Sequence, residues 1–333
     1  MELEKATPDT ENKGTFMRTV WGSLSRFREG TLILTLIAIC IIMSFLSPYF
    51  LTADNLRTTI LSFAINGIVV IGMTIVMVNG GIDLSVGSVM AVIGAIAGKL
   101  YQGGVTIWIA ALIALVIGGL LGVFNGFFIT RVGLSPFITT LAMLSIARGA
   151  AFVVTQGIPL SLYSMPNAFK SIGKGDVAGI PVVIIIFIVF VIIADFLMRR
   201  STILRRVVYT GSNEKAAIFS GVNVRAVKMG VYILSSFLAG LAGVLSIARF
   251  ATATPYFASG FELQAISACV IGGASLAGGD GSILGSVLGI ALLAIITTSM
   301  ILLDVSVYWQ DLVSGIILLA AVSIDYFTHS GSK

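Results

Sequence analysis

The residues best able to do chemistry in this apolar chain stand together in Asn79-Gly80-Gly81-Ile82-Asp83-Leu84-Ser85-Val86-Gly87-Ser88. Asn79, Asp83, Ser85 and Ser88 put an amide, an acid and two hydroxyls between two apolar runs. Paired glycines break a helix and bare backbone groups that protein or water must satisfy. Such a break can line a hydrophilic pathway or a gate. The alternative is a cytoplasmic turn, with Asp83 at a helix start where the dipole favours an acid. Arg148 is a second candidate, inside an apolar run. A charge at that depth is expensive, so it marks a functional site unless it snorkels or pairs with an acid such as Asp311.

A third polar stretch spans residues 199–228, with Arg199, Arg200, Arg205 and Arg206 at its start and Arg225 and Lys228 at its end. Between them lies a short helix with both end signals. Asn213 can cap its first turn, Glu214 suits the positive end of the dipole, and Gly221 can end it in the left-handed conformation. Ala216, Ala217, Ile218 and Phe219 are too few to form a core. A helix so short and so weakly apolar is not stable alone in water. It is expected to seat Ala216, Ala217 and Phe219 against another protein.

Several chemistries are absent from the sequence. There is no G-x-x-x-x-G-K-[ST] phosphate loop, no H-E-x-x-H and no G-x-S-x-G. His329 is the only histidine, and Cys40 and Cys269 both lie in apolar runs, so no metal site and no disulfide is expected. No catalytic residue is assigned. An intramembrane acid pair involving Asp280 has only its glycine context in its favour.

These residues must be positioned by membrane helices. The chain has 333 residues, 57% of them hydrophobic and 11% charged, with mean hydropathy +1.05. Repeated apolar runs of spanning length place it in the all-α polytopic membrane class. Ten spans are expected, at about 31–48, 60–78, 84–99, 105–128, 136–155, 180–198, 229–249, 263–276, 282–302 and 308–326. The eighth is short and glycine-rich, which suits a broken or re-entrant helix. The first reads as a helix rather than a signal peptide, since no small-residue cleavage site follows it.

Orientation follows from charge. With the N-terminus inside, fourteen of the 20 Lys and Arg fall in inner segments. The positive-inside rule then puts both termini and the 199–228 loop in the cytoplasm. The net charge of +5 is therefore no sign of a nucleic-acid partner. The organisation expected is a cytoplasmic segment at 1–30, a transmembrane domain at 31–327 and a cytoplasmic tail at 328–333. The longest outer loop, about 156–179, would meet anything arriving from outside.

Gly118, Gly122 and Gly126 recur every four residues, as do Gly285 and Gly289, a pattern for close helix approach. There is also an internal echo. The ten residues from Gly80 and the ten from Gly278 share five identities. Transporters often carry weak repeats whose interrupted helices meet at the substrate path. Chance similarity is the rival explanation in so glycine-rich a sequence.

Four motifs carry a resemblance over nearly the whole chain. Gly80 to Ser88 is similar to G-I-D-L-S-x-G. Pro136-Phe137-Ile138-Thr139-Thr140-Leu141 with Arg148-Gly149 is similar to P-F-I-x-T-L…R-G. Gly211-Ser212-Asn213-Glu214-Lys215-Ala216-Ala217-Ile218-Phe219-Ser220-Gly221-Val222-Asn223-Val224 is similar to G-G-N-x-x-A-A-x-x-S-G-[IV]-N-V. Glu262-Leu263-Gln264-Ala265-Ile266-Ser267-Ala268, with Gly272-Gly273 and Gly278-Gly279, is similar to E-L-D-A-I-A-A…G-G…G-G. The chain thus resembles the permease subunits of bacterial ABC importers for monosaccharides. It departs from them at Ser212, where glycine is usual, and at Gln264, where aspartate is usual.

The resemblance implies a division of labour in the bacterial inner membrane. An extracytoplasmic binding protein delivers a sugar, and two permease subunits, identical or not, form its path. An ATPase with two fused nucleotide-binding halves holds the ATP and Mg, so this chain needs no cofactor. That ATPase would dock through Gly211, Ser212, Asn213, Glu214, Ala216, Ala217, Phe219 and Gly221. A secondary transporter or channel for a small polar solute is the alternative. It would need coupling-ion carboxylates at mid-membrane, whereas the acids here mostly sit near span ends.

Overall fold

The computed structural model describes residues 28–330. The expected cytoplasmic segment at 1–30 and tail at 328–333 fall largely outside those residues. Each of the ten apolar runs is a helix: α1 Arg28–Leu46, α2 Ala53–Val78, α3 Val86–Gln102, α4 Ile107–Phe127, α5 Pro136–Thr155, α7 Val182–Arg200, α10 Val224–Phe250, α11 Phe261–Ile271, α12 Ile283–Leu302 and α13 Val307–Ser330. Three further helices lie between them: α6 Asn167–Lys174, α8 Thr202–Ser212 and α9 Glu214–Phe219. Among the described residues seven helices are long and apolar enough to cross a membrane; α3 and α11 are shorter apolar helices, and α13 is apolar over Val307–Ser323.

The centre is α2 against α10. Both are largely buried, and α3, α4 and α7 close around them. The outer helices show lipid-suited faces instead, such as Ile41, Ile42 and Phe45 on α1. Close packing at the centre depends on the glycine stripe of α4. A side chain at Gly122 would come within 2.6 Å of the backbone at Tyr232 and Ile233, and one at Gly126 within 3.1 Å of Met229 Cα. Small residues let these backbones nearly touch, which in lipid is the main source of helix association.

The eighth apolar run is indeed interrupted. At 1.5 Å per residue α11 is about 16 Å long, roughly half the hydrocarbon thickness. The chain leaves it at Gly272 and turns back through residues 272–282 into α12. Gly285 and Gly289 of α12 lie directly on the carbonyls of Gly272 and Ala268. The hairpin α11–α12 therefore packs backbone on backbone.

At one end of the bundle, the segment 156–179 is folded rather than loose. Strand β1, Leu160–Ser161, pairs antiparallel with β4, Thr252–Ala253, and β2, Asp176–Val177, with β3, Ile180–Pro181. Gly173 of α6 sits on the backbone of Arg249. Arg57 grips Asp176 with two hydrogen bonds of 2.9 and 2.8 Å and adds a third to the Lys174 carbonyl. That clamp belongs to helix: α2 begins at Ala53, whereas the sequence suggested a span from 60. Its first turns are rich in Asn and Thr, which read as loop.

Candidate functional site

The polar run Asn79 to Ser88 lies at the opposite end of the bundle from β1–β4. It forms a buried clamp. Asp83 Oδ1 accepts from the Ser85 amide at 3.0 Å and the Ser85 hydroxyl at 2.6 Å. Its Oδ2 accepts from Ser235 Oγ on α10 at 2.8 Å. Asn125 of α4 donates to Ser85 Oγ at 3.2 Å, and Thr140 of α5 to the Ile82 carbonyl at 3.2 Å. Asp83, Ser85 and Ser88 have no exposed surface, and Asn79 is buried as well. Buried polar groups joined in this way hold a core in one arrangement. None of the four lines the cavities described below; Asp83 and Ser85 tie α10 and α4 together, whereas the buried Ser88 hydroxyl has no hydrogen-bond partner among the described residues.

Arg148 does not reach into a cavity either. Its Nη1 donates to the carbonyls of Pro255 at 2.6 Å and Phe257 at 2.8 Å. It fixes the loop between β4 and α11, helped by the edge-on contact of Phe152 with Tyr256, centroids 5.0 Å apart. The side chain of Asp311, the suggested partner, is outside those described.

Two adjoining cavities occupy the half of the bundle nearer β1–β4, of about 250 and 240 Å³. They share Ser62, Asn66 and Gln264. The first adds Arg249, Phe250 and Phe257; the second adds Asn55, Thr59 and Thr298. Neither lining contains an acid. Arg249 donates to Ser62 Oγ at 3.0 Å and to the Thr58 carbonyl at 3.2 Å, and its guanidinium lies 4.8 Å from the Phe250 ring centre. Thr59 and Thr298 share a hydrogen bond of 3.1 Å. From Gly67 onward α2 is wholly buried, so its polar face ends at Asn66.

The sequence reading missed these residues, yet a signal exists. Asn55, Thr59, Ser62 and Asn66 are spaced by four, three and four, which places them on one face of a helix. Starting α2 at 60 cut that stripe in two. Gln264, noted only as a departure from the usual aspartate, faces the stripe from the first turn of α11.

The segment 199–228 has two helices where one was expected. Ser201 caps α8 by accepting from the Ile203 amide at 3.1 Å. Asn213 caps α9 as anticipated, accepting from the Ala216 amide at 3.0 Å. Gly221 takes the left-handed conformation, φ 78°, and the amides of Gly221 and Val222 return to the carbonyls of Ile218 and Ala217. Lys228 ties Glu214 back to α10 at 2.7 Å. Phe219 is 91% exposed and Ile218 56%, whereas Ala217 is only 3% exposed. Ala217 thus packs against its own chain and is removed from the outward face expected of it; Ala216 stays exposed.

The start of this segment is wedged into the membrane bundle. Gly211 lies on the Val78 carbonyl, and a side chain there would also sit 2.8 Å from the Gly279 amide. Gly279 donates to the same Val78 carbonyl at 2.8 Å. Gly278 lies against Gly80 Cα and the Gly211 carbonyl, and Ser212 against Gly279. Asn79 donates to the Val207 carbonyl at 3.3 Å. The two echoing glycine turns, at Gly80 and at Gly278, therefore meet each other, with α8 seated on both. Proximity gives the echo a physical counterpart that chance resemblance does not require.

Residues 55–322 match the family model described as the branched-chain amino acid transport system permease component. The ribose import permease of Escherichia coli K12 is 36% identical over 295 residues, covering 88% of this chain and 92% of that protein. The ribose import permease of Bacillus subtilis 168 is 38% identical over 292 residues, 88% of this chain and 91% of that one. The L-arabinose ABC transporter permease of Azospirillum brasilense is 32% identical over 330 residues, 99% of this chain and 97% of that one. No solved structure gives a significant match. With its family model covering most of its length and relatives aligned nearly end to end, the chain belongs to this family of membrane permease components.

Proposed function

We propose that the chain is the transmembrane subunit of an ATP-driven importer of a monosaccharide. The observation that carries this reading is the placement of two features at opposite ends of one bundle. Hydrogen-bonding cavities without an acid occupy one end, and a capped helix with bare Phe219 and Ile218 occupies the other. The relatives named above for ribose and arabinose give the solute class. The cavity linings support it too: a zwitterionic amino acid would need a carboxylate for its ammonium, and a neutral polyol needs none.

In this reading all ten apolar helices lie in the bilayer, α11 entering only part way. Both termini and the 199–228 segment face the cytoplasm, as the distribution of Lys and Arg supports. A second permease subunit, identical or different, completes the path. A sugar-binding protein docks over the folded 156–179 segment. An ATPase with two nucleotide-binding halves holds ATP and Mg and receives α9 through Ala216, Ile218 and Phe219. Gly211 and Ser212 join that contact to the bundle, while Asn213, Glu214 and Gly221 keep α9 in shape. Asn79, Asp83, Ser85, Ser88 and Arg148 support the path from behind rather than touching the sugar.

The test is reconstitution of the chain with its neighbouring ATPase and binding protein in proteoliposomes. ATP-dependent uptake of D-ribose, D-allose or L-arabinose is the expected result. Uptake that persists without ATP overturns the reading in favour of a secondary transporter or channel.

A further inference from the structure

Asn66 and Gln264 are the two carboxamides common to both cavities described above. They are partly buried, they line both cavities, and neither amide is hydrogen-bonded to a described residue. Ser62, Thr59, Thr298 and Arg249 all have protein partners. An amide offers two donors and an acceptor with two lone pairs, so a neighbouring pair matches a run of adjacent hydroxyls. In a membrane interior such groups are costly to leave unpaired. Beside them, Phe250 and Phe257 stand with ring centres 6.3 Å apart, tilted by 58°. Their apolar faces suit the C–H side of a sugar ring. Arg148 holds the carbonyl of Phe257, and so sets where that ring stands.

We propose that Asn66 and Gln264 are the specificity-determining pair of this permease, reading sugar hydroxyls as the solute leaves the binding protein, with Phe250 and Phe257 receiving its C–H face. This rests on the sugar-importer reading above. The pair sits where the polar face of α2 ends, so a sugar that descends the stripe meets the amides before the apolar stretch below. Selectivity by such a pair comes from hydroxyls left without partners in the wrong sugar.

The experiment uses the complete importer in proteoliposomes with its own binding protein. Uptake of D-ribose, D-allose and L-arabinose is measured together with ATP hydrolysis. Asn66→Leu and Gln264→Met remove hydrogen bonding at similar size. Each should lower sugar moved per ATP roughly tenfold, the worth of about one hydrogen bond, while stimulated ATP hydrolysis stays at the unmodified level. Asn66→Gln and Gln264→Asn keep an amide and should recover part of the loss, with a changed order among the three sugars. Unaltered sugar per ATP in the apolar variants overturns the proposal. So does equal impairment of the amide-keeping variants, or failure of every variant to assemble, since either assigns the pair to packing. Absence of ATP-dependent uptake by the unmodified importer is a separate outcome; it overturns the sugar reading, and the pair's role with it.

Discussion

Gly211→Ala is the smallest change that tests whether the cytoplasmic segment is mechanically joined to the bundle. The added Cβ falls on the Val78 carbonyl, with Val78 C at 2.9 Å and the Gly279 amide at 2.8 Å. All three are backbone atoms, so no side-chain rotation can make room. Either α8 lifts from the end of α2, or the Gly279–Val78 hydrogen bond of 2.8 Å opens. Overpacking of this kind costs roughly 1–3 kcal/mol, and the hydrogen bond about 1 kcal/mol more. A loss of about 2–4 kcal/mol at one junction would leave most of the bundle folded but detach α8 and α9 from it. Gly119→Ala is the control, since nothing lies within 4 Å of its added Cβ and alanine favours helix by about 1 kcal/mol. Thermal midpoints in detergent, co-purification of the ATPase and sugar-stimulated ATP hydrolysis should be compared. Gly211→Ala should keep the ATPase bound but lose most of the stimulation, with a lowered midpoint. A midpoint and stimulation equal to those of Gly119→Ala would refute the idea of a rigid junction.

Other consequences are simpler to measure. Asp83→Asn should lower folded yield and uptake together, by about 1–3 kcal/mol of stability, because an amide nitrogen would face a donor from Ser85 or Ser235; normal yield with lost uptake would return Asp83 to the path. Phe219→Ala should change stability by less than about 0.5 kcal/mol yet weaken co-purification of the ATPase, since the ring is exposed in the chain alone. Ala217→Trp should behave oppositely and destabilise the chain itself, read as a lower midpoint before any ATPase is added. Removing either partner of the exposed Arg57–Asp176 pair should cost no more than about 1 kcal/mol, checked by a double-mutant cycle.

Features set by near neighbours in the chain were readable in the sequence. The Asn213 cap, the left-handed Gly221 and the interruption after Ile271 each depend on a few adjacent residues. The ten apolar runs are helices because hydropathy alone requires internal hydrogen bonding in lipid. Features set by distant partners were not readable. Asp83 becomes a clamp only because Ser235, 152 positions away, donates to it. The first turns of α2 look like loop until Asp176, 119 positions away, meets Arg57. Ala217 is turned inward by the way α9 lies against its own chain, which composition does not reveal. The cavity amides escaped notice for a related reason: Asn66 and Gln264 belong to different motifs and meet only across the bundle.

The backbone-to-backbone packing of α11 on α12 has a consequence for motion. Where side chains interdigitate, two helices can slide by exchanging rotamers; where carbonyls rest on glycines, there is nothing to exchange. The hairpin is then stiff along its length, and its turn, where Gly278 and Gly279 hold φ of 85° and 82°, is pinned to the bundle by the Gly279–Val78 hydrogen bond and can only pivot about that contact. A stiff arm with its bend at one end behaves as a lever. Gln264 lies far along that arm from the bend, so a small rotation at the two glycines becomes a larger sweep of its amide across the cavities. Those same glycines touch Gly211 and Ser212. A push delivered to the cytoplasmic helices would thus arrive at the cavities amplified, and a sugar held there would resist it.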